Sequence, residues 1–347
     1  MKATVFHGKG DVRVETVADP RIVDSTDVIV RVVNAAICGS DLWSYRGLSS
    51  ATPGGRIGHE FIGVVEAGGS AVRRFKTGDF VAAPFNFSDG TCAFCQEGVY
   101  TSCDHAGYWG GENDGGQGQF VRVPYTDATL SAIPDAVAHD PRKRTAALAL
   151  TDVMSTGHHG CVRARVHAGG SVAVIGDGAV GLCAVLAAKR LGAARIIAIG
   201  HNPARLDQAR AFGATDLFDS RDPEVQAKVT ELTKGGPGSV VEAVGGQPTL
   251  DLAVALARPG GYVSFLGIPI GTQTFDARRL FSENITIGGA VAPAHAYIDE
   301  LMRDVANGTL DPSPVFTLRL PLEGSPQGYA AMDDRSAIKV VLDVSTL

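Results

Sequence analysis

The chain has 347 residues, 45% of them hydrophobic and 20% charged, the composition of an ordinary globular protein long enough for two cores. A formal net charge of -6 speaks against a nucleic-acid partner, which needs a basic face. No run approaches the roughly eighteen consecutive apolar residues of a membrane span, and six cysteines are too few for a disulfide scaffold, so a protein of the reducing cytoplasm is expected.

The opening Met1-Lys2-Ala3-Thr4-Val5-Phe6 runs straight into a strand-like pattern and lacks the features of a secretory leader. The first 125 residues read as β-rich: Val28–Val33, Phe61–Val65, Asp79–Ala83 and Phe120–Val123 are short apolar or alternating runs bounded by Gly, Pro and Asp. From Ser171 to about Gly289 the character changes. Strand-like runs at Val172–Ile175, Arg195–Ile199, Val240–Val244 and Tyr262–Leu266 alternate with helical patterns at Ala179–Leu191, Ala204–Phe212, Glu224–Leu232 and Leu250–Ala257. This alternation predicts an α/β fold with a doubly wound parallel sheet. Beyond Ala294, a helical run (Tyr297–Val305) and an apolar strand (Ile338–Val344) read as the chain returning to complete the first domain. The expected division is 1–150 with 291–347, and 151–290 between them.

Two short runs carry the chemistry. Cys38-Gly39-Ser40-Asp41 is followed about twenty residues on by Gly58-His59-Glu60. A thiolate and an imidazole are ligand types of a catalytic zinc, which uses three protein ligands and an open position. Ser40, two residues past the thiolate, is an alcohol-sized proton carrier beside such a site. Taken singly, Cys38 could be a structural cysteine and His59 a core histidine.

In the second region, Gly176-Asp177-Gly178-Ala179-Val180-Gly181 matches Gly-x-Gly-x-x-Gly, follows an apolar strand and opens a helix. That context predicts a dinucleotide turn, with the pyrophosphate at the helix N-terminus. An NAD site should end its second strand in a carboxylate for the ribose 2′-hydroxyl. This chain has Gly200 there, then His201 and Arg205. Loss of the carboxylate and gain of positive charge favour NADP(H) over NAD(H), although Arg205 could equally be a solvated helix residue and Gly200 a turn.

The paired motifs and the glycine-rich turn together resemble the zinc-dependent medium-chain dehydrogenases, in the formaldehyde dehydrogenase-like and bacterial secondary alcohol dehydrogenase branch. The resemblance spans essentially the whole chain. It implies a GroES-like β-rich catalytic domain built from the first and last segments, a Rossmann domain between them, and a homodimer or homotetramer acting on a small-molecule alcohol or carbonyl compound. It implies Asp152, in Leu150-Thr151-Asp152-Val153, as the third catalytic zinc ligand, where a helix N-cap is the competing role. Glu60 is then a supporting carboxylate or occasional ligand. Lys339 stands where the family carries a basic residue near Glu60 and the cofactor phosphates, and Thr156 falls at the start of the dinucleotide domain.

The family's structural zinc loop has four cysteines. Here Asp89 replaces the first, ahead of Cys92, Cys95 and Cys103, which keeps the ligand charge; a metal-free loop of three reduced cysteines is the alternative. Many relatives place a histidine where this chain has Trp43, so the proton relay beyond Ser40 is altered. With Trp43, Phe85 and Trp109 as pocket liners, the implied substrate is an apolar or aromatic alcohol paired with its ketone or aldehyde. An NAD-dependent polyol dehydrogenase or formaldehyde dismutase-like enzyme is the second reading. A non-catalytic dinucleotide-binding protein is the reading of another class.

Overall fold

The computed structural model describes residues 1–347 apart from Ser50, Glu112, Ile270 and Leu347. The chain forms two compact units, Met1–Ser155 with Pro293–Leu347, and Thr156–Ala292. The first unit extends to Ser155 rather than ending at residue 150, so Asp152 belongs to it.

At the centre of the first unit lies the strand Val28–Ile37, buried along nearly its whole length. Its run Val-Ile-Val-Arg-Val-Val-Asn-Ala-Ala-Ile is close to continuously apolar because both faces are covered. It pairs antiparallel with Glu60–Gly68 on one side and Lys339–Asp343 on the other. The full order is Phe316–Pro321, Lys339–Asp343, Val28–Ile37, Glu60–Gly68, Phe80–Ala83, Ser131–Ala132, with Phe120–Val123 also paired to Val28–Ile37. The central strand runs past the expected Val33, since Asn34 to Ile37 pair with the C-terminal strand, a partner about three hundred residues away in sequence. Register then fixes the neighbours: Ala36 lies opposite Glu60, and Ile37 opposite Val340. The ends carrying Cys38, His59–Glu60 and Lys339 therefore meet at one place.

The helix Pro141–Leu150, outside the predicted elements, packs its C-terminal half into this unit's interior. Asp140 caps it, accepting from the backbone N–H groups of Arg142 and Lys143, and Pro141 occupies the first turn. Its end is held by the Phe85 N–H donating to Thr151 O (3.0 Å), which delivers Asp152 beside the Phe80–Ala83 strand.

The second unit is a six-stranded, wholly parallel sheet in the order Asp216–Asp219, Arg195–Gly200, Ser171–Ile175, Ser239–Glu242, Tyr262–Phe265, Thr286–Gly289. The predicted alternation is found with helices at Ala179–Arg190, Pro203–Phe212, Val225–Thr233 and Gln247–Leu256. The polar strand Asp216–Asp219 gave no apolar signal; it is an edge strand, only half-buried throughout. Chain order reverses between Ser171–Ile175 and Ser239–Glu242, the switch point where such sheets bind ligands.

Among the described residues no helix is long and apolar enough to cross a membrane.

The glycine-rich turn is sterically closed. Gly176 adopts φ +119°, and a Cβ on Gly181 would lie 2.0 Å from Gly176 O. Gly181→Ala should therefore destabilise the second unit by about 1–3 kcal/mol through overpacking. Urea unfolding of the variant would measure this, and an unchanged midpoint would show that the turn relaxes freely.

Candidate active site

Cys38, His59, Glu60 and Asp152 place one potential ligand atom each within 4.8 Å of all the others. The Cys38 Sγ lies 3.2 Å and the His59 Nε2 3.3 Å from the same oxygen, Asp152 Oδ2. All four residues belong to the first unit, and Glu60 is fully buried.

Such a cluster is electrostatically unfavourable without a cation. Burial, and then the neighbouring Asp152, push the Cys38 thiol well above the usual thiol range. Burial alone would raise Asp152 too, but His59 outweighs it and holds that carboxyl well below the usual carboxylate range. Burial also opposes a charged His59, yet Asp41, then Cys38 and Asp152, raise its pKa well above normal. The histidine proton thus stands in for positive charge that the donor set requires. A thiolate, an imidazole and a carboxylate converging on one buried point fit zinc in donor type and charge.

Asp41, the last residue of the first motif, was given no role by its sequence context. It accepts from the Cys38 N–H (3.0 Å) and lies 3.2 Å from His59 Nδ1. That contact fixes a proton on Nδ1 and leaves Nε2 to face the other donors, the usual way a metal-binding histidine is oriented. Behind Asp41 sits Gln117, whose Nε2 donates to Ala36 O (3.2 Å) and reaches Asp41 Oδ2 (3.4 Å), while its Oε1 accepts from the buried Tyr329 hydroxyl (3.1 Å). Gly58 is required here: with φ +94°, its Cβ would stand 2.4 Å from Gln117 Cγ. Gln117 and Tyr329 carry no local motif signal and could not have been singled out from sequence.

Lys339 lies against Glu60, as the resemblance implied, and is sealed from solvent there. Its ammonium is 1% exposed, donates to Glu60 Oε1 (2.5 Å) and to Ile37 O (3.2 Å), and has no reach to solvent. A desolvated ammonium of this kind is committed to the carboxylate it neutralises. Burial raises the Glu60 pKa and Lys339 opposes it; the second carboxylate oxygen, Oε2, is buried without a partner.

Of the proposed pocket liners, Phe85 sits edge-on to His59 (centroids 6.5 Å) and stacks with the exposed Tyr108 (6.2 Å). Trp43 is half-buried in the short helix Asp41–Tyr45, and Ser40 precedes it with a hydroxyl that caps no backbone N–H. Trp109 is a correction. It packs between Phe61 and Phe87 (5.2 Å each), donates its indole N–H to Pro84 O (2.7 Å), and belongs to the core. Tyr108, one residue earlier, takes the surface position.

Asp89, Cys92, Cys95 and Cys103 form the second cluster of ligand atoms within 4.8 Å. The sulfurs accept backbone N–H groups, as thiolates in closed metal loops do: those of Asp89 (3.4 Å) and His105 (3.3 Å) reach Cys103 Sγ, and that of Asp104 lowers the Cys92 pKa. Asp89 Oδ1 accepts from the Thr91 and Cys92 N–H groups, and Oδ2 lies 2.6 Å from Nδ1 of the exposed His105. His105 had no assigned partner from sequence; His105, then the backbone, hold the Asp89 carboxyl well below the usual range.

In the second unit, Gly178 is the N-cap of Ala179–Arg190, with Val180 and Gly181 in its first turn. Thr156 and Val180 are half-buried and Gly200 ends the strand Arg195–Gly200. Asp177, an unassigned position of the turn, reaches this strand end: its Oδ2 accepts from the His201 (2.8 Å) and Asn202 (2.9 Å) N–H groups. The nearest basic groups of His201 and Arg205 both stand 3.9 Å from its carboxylate.

The pair at Glu60 yields a test. Lys339→Met should destabilise the metal-stripped protein by about 3–5 kcal/mol where Glu60 is charged. The deficit should be larger at about pH 8 than at about pH 5, because a protonated Glu60 needs no counter-ion. Equal deficits at both would mean that lost packing, not charge, causes the effect.

Two family models match the chain, "Alcohol dehydrogenase GroES-like domain" over residues 24–135 and "Zinc-binding dehydrogenase" over residues 179–307. A zinc-type alcohol dehydrogenase-like protein of Bacillus subtilis (strain 168) is 32% identical, across 99% of this chain and 100% of its own. Among solved structures, the alcohol dehydrogenase TADH from Thermus sp. ATN1 superposes with a TM-score of 0.94 at 37% identity, covering 99% of this chain and 100% of that one. A zinc-binding dehydrogenase from Sinorhizobium meliloti 1021, solved bound to NADP, gives 0.87 at 27% identity, covering 99% of each.

Proposed function

The chain belongs to the zinc-dependent medium-chain dehydrogenases, and from that premise we propose that it is an NADP(H)-preferring alcohol dehydrogenase, a carbonyl reductase in the reverse direction, for an apolar or aromatic alcohol and its ketone or aldehyde. The observation that carries the proposal is the convergence of Cys38, His59 and Asp152 on one buried point. It also weighs against a protein that merely binds dinucleotides, since such a role gives no reason to bury this donor set.

Cys38, His59 and Asp152 would hold the catalytic zinc, with Glu60 as a reserve donor whose charge Lys339 balances. When bound, zinc would supply Lewis acidity toward the substrate oxygen and the nicotinamide would supply hydride-transfer chemistry. The protein's own groups do the rest. Asp41 orients His59, and Ser40 carries the alcohol proton away from the site. Trp43 stands where many relatives have a histidine, so that position supplies no proton acceptor and the relay would leave Ser40 without it. Phe85, Tyr108 and Trp43 supply the aromatic surface that supports the substrate assignment. The turn Gly176–Gly181 with Thr156 would hold the dinucleotide, and His201 and Arg205 beside Gly200 support NADP(H); the NADP-bound relative is consistent with that choice. Asp89, Cys92, Cys95 and Cys103 would hold a second, structural zinc. A cytoplasmic homodimer or homotetramer completes the reading.

Asp152→Asn removes one negative charge and a strong oxygen donor, while Asn caps a helix nearly as well as Asp. Turnover should fall at least about a hundredfold and zinc content should drop. Near-wild-type turnover with intact zinc, measured across a panel of alcohols and aldehydes with both cofactors, would remove Asp152 from the ligand set.

Elemental analysis should give about two zinc ions per chain. Cys92→Ser should cost the second ion and lower the melting temperature more than it lowers activity per remaining catalytic site. About one ion per wild-type chain would leave the Asp89 loop without metal.

A further inference from the structure

We propose that Asp177 is a cofactor-specificity residue of this chain, a carboxylate delivered from the glycine-rich turn to the strand end where residue 200 carries none. The inference rests on the reading of Thr156–Ala292 as the dinucleotide-binding unit and adds what sets its preference.

The argument begins with space. A Cβ on Gly200 would lie 2.6 Å from Asp177 Cβ and 2.7 Å from Asp177 Oδ2. The Asp177 carboxylate therefore stands over the end of the strand, in the place a side chain of residue 200 would start to fill. Gly200 is glycine because Asp177 is there. Its reading as a missing carboxylate is incomplete: the charge is present, supplied twenty-three positions earlier in the chain.

Its environment keeps it there. Oδ2 accepts from the consecutive N–H groups of His201 and Asn202, and Asn202 in turn caps the helix Pro203–Phe212 by accepting from Ala204 and Arg205. Consecutive N–H groups ahead of a helix are an anion-binding arrangement. In this chain an internal anion already takes those two donors, so a 2′-phosphate cannot use them. Arg205 and His201 remain as attraction for the phosphate, each 3.9 Å from Asp177, and the carboxylate opposes it while offering an acceptor to a 2′-hydroxyl. On the neighbouring strand end Asp219, in register with Gly200, accepts from both Nε and Nη2 of Arg221, and His201 adds a smaller share to holding its carboxyl below the usual range. The consequence is an enzyme that uses both cofactors, with a preference for NADPH smaller than Arg205 alone would give.

The test uses the full-length zinc-loaded enzyme, with kcat/KM for NADPH and NADH on one aldehyde and fluorescence titration of both reduced cofactors. Asp177→Asn and Asp177→Ser should each raise the NADPH-to-NADH ratio by about tenfold or more, in binding as well as turnover. Asp219→Asn, the same charge change one strand away, should move it by less than about threefold. Gly200→Asp should weaken both cofactors, and the double change Asp177→Gly with Gly200→Asp should recover NADH use. An unchanged ratio in both Asp177 variants, while they still bind dinucleotide, would overturn this assignment and leave the proposed function standing. So would an equal shift from Asp219→Asn. A wild-type enzyme that binds neither dinucleotide would overturn the cofactor reading itself.

Discussion

The first unit is organised around buried negative charge. Cys38, Glu60 and Asp152 bring three acidic groups into a space of a few ångströms, at the junction of strands whose residues are mostly apolar. Isolated charges in such surroundings are neutralised or paired. Each acid here has its own answer. Glu60 is paired with Lys339; Asp152 is held by His59; Cys38 is driven toward the neutral thiol unless a cation is present. The same requirement explains the residues behind them. Asp41 has to orient His59, Gln117 has to hold Asp41, and Tyr329 and Gly58 have to accommodate Gln117. A bound cation would turn this unfavourable set of donors into a stable one.

The loop around Asp89 solves a smaller version of the same problem at the surface. There the charge is compensated by backbone N–H groups and by His105 as well as by any metal, so the loop's geometry is locally specified. The contrast accounts for their differing roles. The buried set has no such local compensation beyond His59 and Lys339; the surface set closes on itself through its backbone.

In the second unit the constraint is steric before it is electrostatic. Gly181 lets the helix approach Gly176 O, and Gly200 leaves room for Asp177. Once the backbone has closed to these distances, the Asp177 carboxylate stands at the strand end with basic groups of His201 and Arg205 3.9 Å away, and Asp219 with Arg221 on the neighbouring strand.

Much of this was legible in the sequence. The parallel sheet follows from alternating apolar runs and helical periodicity, and the dinucleotide turn from glycine spacing between a strand and a helix. Cys38, Ser40, His59, Glu60 and the Asp89–Cys103 loop declare themselves because their spacing is short and their chemistry local, whereas the role of Asp41 emerged only from its contact with His59. Tertiary structure decided what depends on pairing distant segments. The register of Lys339–Asp343 against Val28–Ile37 decided that Lys339 is buried in an ion pair 279 residues from its partner, which only the resemblance and no local pattern had suggested. Packing between Phe61 and Phe87 withdrew Trp109 into the core and left Tyr108 at the surface. The fold alone brought Asp177 over Gly200, because a motif read along the chain records which residues are present and not which side chain crosses to the next strand. Periodicity and spacing act over a few residues; buried charge is compensated across whatever distance the sheet brings together.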